Sequence, residues 1–519
     1  MSATAAPASA QSQDSAIATK PSPAHELKTL VLSRHPLIVV ESSEEARVEA
    51  LVAEVAADLR LHRFEWTVTR GLVRAGEAQA MYGTEDPAVL ARTLAGLSVQ
   101  AIHLLKDLAP HLAPNAGPEA ARVSRALRDT AEAFSAPGRL STLVVAGASV
   151  DLPPELDAVA VRYRLALPAP DDYRRTVLAT LQWLEQSGQA RVEIGSGDVD
   201  DFVAALNGMT LNGARQALAH VALEDGCLSR EDLARLAQRK AHALRDEGLL
   251  EYFPPVENTA QLGGFAALRG WLDRARTGFT PQAAEMGLQP PRGLMIVGVQ
   301  GCGKSLACKT VARDWGLPLL KLDAGRLYDK YIGESERNFR RATELAESMA
   351  PCVLWIDEIE KAMAQGSDSD GGVSRRIFGS FLTWMQEKKP GVFVVATAND
   401  LSALGPELLR KGRFDEIFFV DLPVAEERRT VLEIHLKLRR QDPAALDLLR
   451  LVGASEGFSG AEIEQAVIAS LYRSLHEGRE LSTELLEAEM RGTVPLSVTR
   501  REDIERLRAT ARERFVPVA

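Results

Sequence analysis

The sequence predicts an α/β fold: a parallel five-stranded sheet flanked by helices and closed by a helical lid, preceded by a diverged second copy of the same plan. Two observations predict it. In the C-terminal half, apolar runs at residues 294–297, 317–322, 352–356, 392–397 and 416–420 alternate with helix-period stretches, and after Pro423 the pattern turns wholly helical. Strands that alternate with helices pair in parallel, because each helix carries the chain back across one face of the sheet. The N-terminal half repeats the order more faintly, with runs from Leu37 to Val40, Phe64 to Val68, Ala101 to Leu105, Leu143 to Ala146 and Tyr163 to Leu167, before turning helical at Asp171. A repeated order reads as a duplicated domain, with an unrelated α/β domain as the alternative.

Taken in chain order, residues 1–25 are rich in Ala, Ser, Pro and Gln, with no basic start and no apolar core, which predicts a disordered tail without a secretory signal. The tail has no Arg and one acid, Asp14, which weakens the case for a transit peptide. Residues 26–250 then form the first copy with its own helical lid. A charged helical stretch from Glu231 to Glu251 gives way to Tyr252-Phe253-Pro254-Pro255 and a segment ending at Gly263-Gly264, the expected domain boundary. Residues 251–424 form the second α/β domain, and residues 425–519 its lid, with amphipathic stretches from Glu426 to Arg440 and Ala461 to Glu477.

A chain of 519 residues, 46% hydrophobic and 25% charged, can bury a substantial core in more than one domain. Its net charge of -10 argues against general binding of polyanions, so nucleic acid is disfavoured as a partner although a local basic channel stays open. The four cysteines form no C-x-x-C pair, and the nine histidines show no metal-ligand spacing. No apolar stretch approaches the roughly 20 residues that cross a bilayer, so the chain is expected in the cytoplasm or an organelle interior.

Two motifs carry chemistry. Behind the strand Leu294-Met295-Ile296-Val297 comes Gly298-Val299-Gln300-Gly301-Cys302-Gly303-Lys304-Ser305, which fits G-x-x-x-x-G-K-[ST], and a helical stretch begins at Leu306. Glycines let backbone N–H groups turn inward around phosphate oxygens, the helix N-terminus adds positive dipole, Lys304 reaches the outer phosphates and the Ser305 hydroxyl can ligate Mg²⁺. At 352–358 an apolar strand ends in two carboxylates: Asp357 would hold the metal and Glu358 would polarise the attacking water. Together they supply the groups that bind and cleave Mg-ATP. Cys302 reads either as a small filler of the loop or as a site of oxidation. In the first copy the corresponding loop is Glu41-Ser42-Ser43-Glu44-Glu45, three carboxylates that would repel phosphate, and its third strand ends in Lys106-Asp107 with no second acid. That copy is expected not to bind nucleotide.

With these residues in place, the C-terminal half resembles an AAA-type ATPase module of the AAA+ superfamily. Val394-Val395-Ala396-Thr397-Ala398-Asn399 resembles the strand that ends in the family's sensor asparagine, and Leu408-Leu409-Arg410-Lys411-Gly412-Arg413-Phe414-Asp415 its arginine-finger segment. Gly457-Phe458-Ser459-Gly460-Ala461-Glu462-Ile463 is similar to its lid signature, and the match covers roughly residues 255–519. Taken whole, the chain most resembles the AAA ATPases known as a conserved open reading frame of plastid and cyanobacterial genomes.

The resemblance implies further roles. Asn399 would bond the γ-phosphate or the attacking water. Arg410 and Arg413 would reach the nucleotide of the adjoining subunit of a ring, a hexamer in the family. Gly263 and Gly264 would offer backbone groups to the adenine, Gly460 and Ala461 would close from the lid, and His435 would lie near the base and ribose, with ordinary packing as its alternative. The segment Lys330-Tyr331-Ile332 would face the pore of the hexamer and grip an unfolded chain, and Gln365 to Gly372 reads as a second pore loop or a plain surface loop. Three functions stay open: a ring that remodels or translocates a protein substrate, an ATP-controlled switch or scaffold that threads nothing, and a nucleic-acid motor, disfavoured by overall acidity.

Overall fold

The computed structural model describes residues 22–112, 119–136, 138, 140–148, 150–195, 197–246, 248–254, 265–322, 334–363, 373–400, 405, 407, 408, 410 and 412–518. The expected tail lies outside them except at its end, where Pro23 to His25 already belong to a helix, Pro23–Leu32, whose first turn is capped by the Ser22 hydroxyl. The chain forms two compact units, residues 1–166 and 167–519.

The first unit is built on β1 (Leu37–Glu41), β2 (His62–Thr67), β3 (Gly71–Arg74), β4 (Ala101–Lys106), β5 (Thr142–Gly147) and β6 (Ala160–Tyr163), in the spatial order β3-β2-β4-β5-β1-β6. All neighbours are parallel except β2 and β3. Side chains alternate across a strand, so Leu37 and Val39 enter one core and Ile38 and Val40 the other, and helices cover both faces. One expectation needs correction, and one strand is additional. The last strand is Ala160–Tyr163, pairing with residues 37–40, rather than Tyr163 to Leu167; the chain leaves the sheet ahead of Pro168 and Pro170. The antiparallel β3 gave no sequence signal, since four residues hold barely one period of alternation.

The second unit opens with helices Pro170–Ser187, Val199–Leu206, Leu211–Asp225 and Leu233–Asp246, with a two-residue pairing of β7 (Arg191–Val192) and β8 (Cys227–Leu228). Leu244, on the last of these helices, shares a core with Leu320 and Leu354 of the following sheet. That sheet contains β9 (Leu250–Phe253), β10 (Gly293–Gly298), β11 (Leu319–Leu322), β12 (Cys352–Ile356), β13 (Val392–Ala398), β14 (Glu416–Val420) and β15 (Val516–Pro517), ordered β15-β14-β10-β13-β12-β11-β9. The five anticipated strands are its parallel centre. Two edges were not anticipated: β9 is antiparallel to β11, and β15 brings the end of the lid region back to the sheet beside β14. Neither is long enough to show a period.

Numbered by their own chain order and leaving out the added edges, the parallel strands of both sheets run 5-1-4-3-2. The second copy inferred from faint periodicity is thus a copy in topology. Such sheets place ligand sites at the carboxyl ends of the strands.

Candidate functional site

The site grows from the end of β10. A Cβ on Gly298 would run into the Val420 carbonyl of β14, so only glycine lets strand and loop pass there. Gly301 (φ +78) and Gly303 (φ +87) take left-handed backbone conformations that bend the loop into the helix Lys304–Trp315. No side chain caps that helix, which leaves its first N–H groups available to an anion. Lys304 is buried and its Nζ donates to the carbonyl oxygens of Gly298 and Val299 at 2.8 Å each. Burial pulls its pKa below the usual lysine value, against the opposing pull of nearby acids. Ser305, one residue on, is exposed.

The acids follow β12, five apolar residues buried on both faces. Asp357 Oδ1 accepts from the Thr397 hydroxyl at 2.7 Å, and its Oδ2 lies 3.2 Å from Lys321 Nζ, an ammonium that also sits 4.4 Å from the centre of the Trp355 ring. Glu358 is left-handed (φ +49), and its N–H donates to the same Thr397 hydroxyl at 3.0 Å. One side chain of β13 therefore fixes both acids. Glu358 Oε1 accepts from Asn399 Nδ2 at 3.0 Å, and Oε2 pairs with Lys361. Behind them Glu360 accepts the Asn399 N–H at 3.0 Å; its other oxygen has no partner among the described residues, and burial raises its pKa.

The lid closes on the loop. The helix Gly460–Glu477 begins against it, with the Ala461 N–H donating to the Gly301 carbonyl at 3.0 Å, and a Cβ on Gly301 would meet the Ser459 hydroxyl at 3.0 Å. His435 lines the same space, its Nδ1 3.6 Å from Glu464; burial lowers its pKa despite that carboxylate, favouring a neutral ring. Between loop, acids and lid lies a cavity of about 1450 Å³, whose other walls include Phe253, Phe265, Arg508 and Val518.

Glu358, Asn399, Asp357, Gln300 to Leu306, His435, Gly460 and Ala461 thus share one cavity. Gly298 and Val299 stand behind it as acceptors for Lys304. Arg410 is exposed and Arg413 donates to the Glu407 carbonyl; neither lines the cavity. Gly263, Gly264, Lys330, Tyr331, Ile332 and residues 365–372 lie outside the described residues. Among the described residues no three His, Cys, Asp or Glu side chains gather as a metal nest. Ser305 and Asp357 instead suit Mg²⁺, which takes few protein ligands and keeps water and phosphate oxygens. Cys302 is buried with its thiol pushed up to about 12, which makes it packing rather than a redox-reactive thiolate.

Thr397, Lys321 and Glu360 were not anticipated. Thr397 stands two residues before Asn399, at the end of β13, so alternation of side chains turns both the same way. Lys321 was marked only by being a cation in an apolar strand, set opposite Trp355 in the β11–β12 register.

Residues 294–422 match the family described as "ATPase family associated with various cellular activities (AAA)". Residues 23–165 and 174–247 match the N-terminal and second domains of SpoVK-like AAA ATPases. The AAA domain-containing protein ycf46 of Guillardia theta is 34% identical over 487 residues, covering 93% of each chain. That of Pyropia yezoensis is 33% identical, over 94% of this chain and 97% of its own. The proteasome-activating nucleotidase of Saccharolobus islandicus is 33% identical over 205 residues, 38% of this chain and 52% of its own.

Proposed function

Because the chain belongs to the AAA ATPases, alongside the ycf46 proteins, and hydrolyses ATP, we propose that it does so at sites completed between the subunits of a ring, a hexamer, and uses the turnover to remodel or translocate a protein substrate. One observation carries the ring: the cavity gathers the phosphate loop, both acids and Asn399, while Arg410 and Arg413 stand outside it, with Arg410 exposed. A transition state that spreads charge over the transferred phosphoryl group needs cations beyond Lys304, and a neighbour's arginines would supply them. Likeness to a proteasome-activating nucleotidase supports a protein substrate.

In this reading the phosphates displace the Gly298 and Val299 carbonyls from Lys304. Glu358, steadied by Thr397 and Asn399, orients the attacking water and takes its proton. Bound Mg²⁺, held by Ser305 and by Asp357, would neutralise developing phosphate charge. His435, Gly460 and Ala461 close over the nucleoside, and Gly263 and Gly264 would offer backbone groups to the adenine. Lys330, Tyr331 and Ile332 would grip substrate, and residues 26–250, read as a nucleotide-incompetent copy with its lid, would recruit it. No helix among the described residues is long and apolar enough to cross a membrane, and the cytoplasm or an organelle interior is the proposed location.

The ring is tested by mixing. Arg410→Ala and Glu358→Gln chains should each bind ATP and turn over little, by as much as ~10³–10⁵ less for the arginine. Together they should regain activity, because some sites pair an intact Glu358 with an intact Arg410. Turnover by the Arg410 variant equal to wild type, at a rate independent of protein concentration, would remove the ring and leave an ATP-controlled switch that threads nothing.

A further inference from the structure

The end of the lid region returns to the nucleotide cavity. The helix Arg501–Arg514 runs into β15, which adds to β14 at Phe418 and Phe419, and Val518 then donates to the Phe419 carbonyl (3.2 Å) and accepts from the Ala267 N–H (3.0 Å). Halfway along, Arg508 Nε is shared between both oxygens of Asp421, at 3.0 and 2.8 Å, on the stretch where the chain leaves β14 for the lid. The lid is thereby tied to the sheet at its exit as well as its entry. Arg508, Arg512, Pro517 and Val518 of this segment face the cavity.

Charge singles out Arg512. The acids of the cavity wall are already engaged: Asp357 by Lys321, Glu358 by Lys361, Asp421 by Arg508 and Glu464 by Arg439, while Glu427 accepts the Val424 N–H. Arg512 is exposed and has no ion pair among the described residues. It stands five residues before Pro517 and lines the same cavity as the apolar Phe265 and Val518.

We propose that residues 508–518 form a wall of the nucleotide site: Arg512 contacts the base and ribose of the bound nucleotide, and Arg508 is a positioning residue that locks this wall to the sheet through Asp421. A guanidinium beside an apolar base pocket can stack on the purine and donate to ribose oxygens. This rests on the reading of the cavity as the ATP site, so Lys304→Ala serves as the reference variant.

In the full-length protein, Arg512→Ala should raise KM for ATP roughly five- to tenfold with kcat within about twofold, the pattern of a contact made equally in ground and transition states. Calorimetry should show the same fold loss for ADP as for ATP. Arg508→Gln should weaken both nucleotides through the wall, Asp421→Asn should add little to it, and Arg506→Ala, on the same helix but outside the cavity, should change nothing. Removing residues 515–519 should reproduce the Arg508 phenotype; if that chain does not fold, as read by thermal unfolding without nucleotide, the point variants decide. Unchanged affinities in Arg512→Ala and Arg508→Gln overturn the wall, as does a loss for ATP with ADP unaffected, which would place Arg512 at the γ-phosphate. ATP binding by Lys304→Ala equal to wild type would instead remove the cavity as the site.

Discussion

Both sheets of this chain run 5-1-4-3-2, with an antiparallel strand added beyond the second, yet only one carries a phosphate loop. In the second unit the first strand ends in Gly298 and the following helix starts without a capping side chain, its positive end free. In the first unit the helix Glu45–Leu59 opens directly behind Glu44, so its own acids occupy the end that would meet phosphate. The third strands differ in the same sense. The chain turns left-handed after both, at Glu358 (φ +49) and at Asp107 (φ +50), but Asp357 is matched by Lys106. Lys106 is buried and pairs with Glu45 (3.0 Å), Glu65 (3.6 Å) and Glu49. The small cavity beside it holds about 160 Å³, below the roughly 300 Å³ at which ligand pockets begin. The two units share strand order and the left-handed turn after the third strand, while the first sets the paired Lys106 where the second has Asp357. Topology is therefore cheap to inherit, and binding resides in a few side chains at the strand ends.

The largest expected effects come from the intact site. Lys304→Ala in the full chain should abolish ATP binding altogether, and Glu358→Gln should keep binding while kcat falls ~10²–10⁴-fold, the usual worth of a positioned base. Residual saturable binding by the Lys304 variant, measured by calorimetry, would place a second site in the first unit and end the contrast.

Thr397→Val comes next. It keeps shape but removes the hydroxyl that anchors Asp357 and the Glu358 backbone. Two hydrogen bonds at about 0.5–1.5 kcal/mol each, if realised in the transition state, lower kcat roughly five- to 150-fold. ATP affinity should move little. A kcat within twofold of wild type would show that the acids hold their places without β13.

Much of this was legible in sequence because the chemistry depends on contiguous runs. The loop 298–305 and the pair Asp357-Glu358 each follow a strand of apolar residues, and both signals are local. What escaped was short or distributed. β9 and β15 are edge strands of four and two residues, with too few positions to display a period. The engagement of Lys106 by three acids spans 61 residues, from Glu45 on a helix to Lys106 on a strand, and only folding brings them together. The same holds for Lys321 and Asp357, whose strands pair side by side.

A smaller effect tests the exchanged charges. Lys106→Ala should destabilise the first unit by about 1–3 kcal/mol, less than the loss for a fully buried pair because its acids are 25–56% exposed. Burial opposes the charge on Glu49, but Lys106 outweighs it and holds the Glu49 pKa below its ordinary value. Its contribution is full above the unfolded Glu pKa of about 4.3 and fades as pH falls through the folded value. Urea unfolding should therefore show wild type and variant converging in acid, below about pH 4. A gap that persists there would mean that Lys106 acts by packing.

The smallest effect isolates the backbone the two units share. Asp107 is exposed and left-handed, a conformation that glycine adopts without strain and that a β-branched residue resists. If that turn is inherited scaffold with no chemistry of its own in the first unit, Asp107→Gly should leave both stability, within about 1 kcal/mol, and ATP turnover unchanged, whereas Asp107→Val should destabilise. Glu358→Gly meets the same backbone requirement and should still abolish turnover, because there the side chain is what the turn exists to aim. Loss of ATPase activity in Asp107→Gly would mean that the first unit's strand end takes part in turnover, and that the two ends are not divided into one that works and one that only folds.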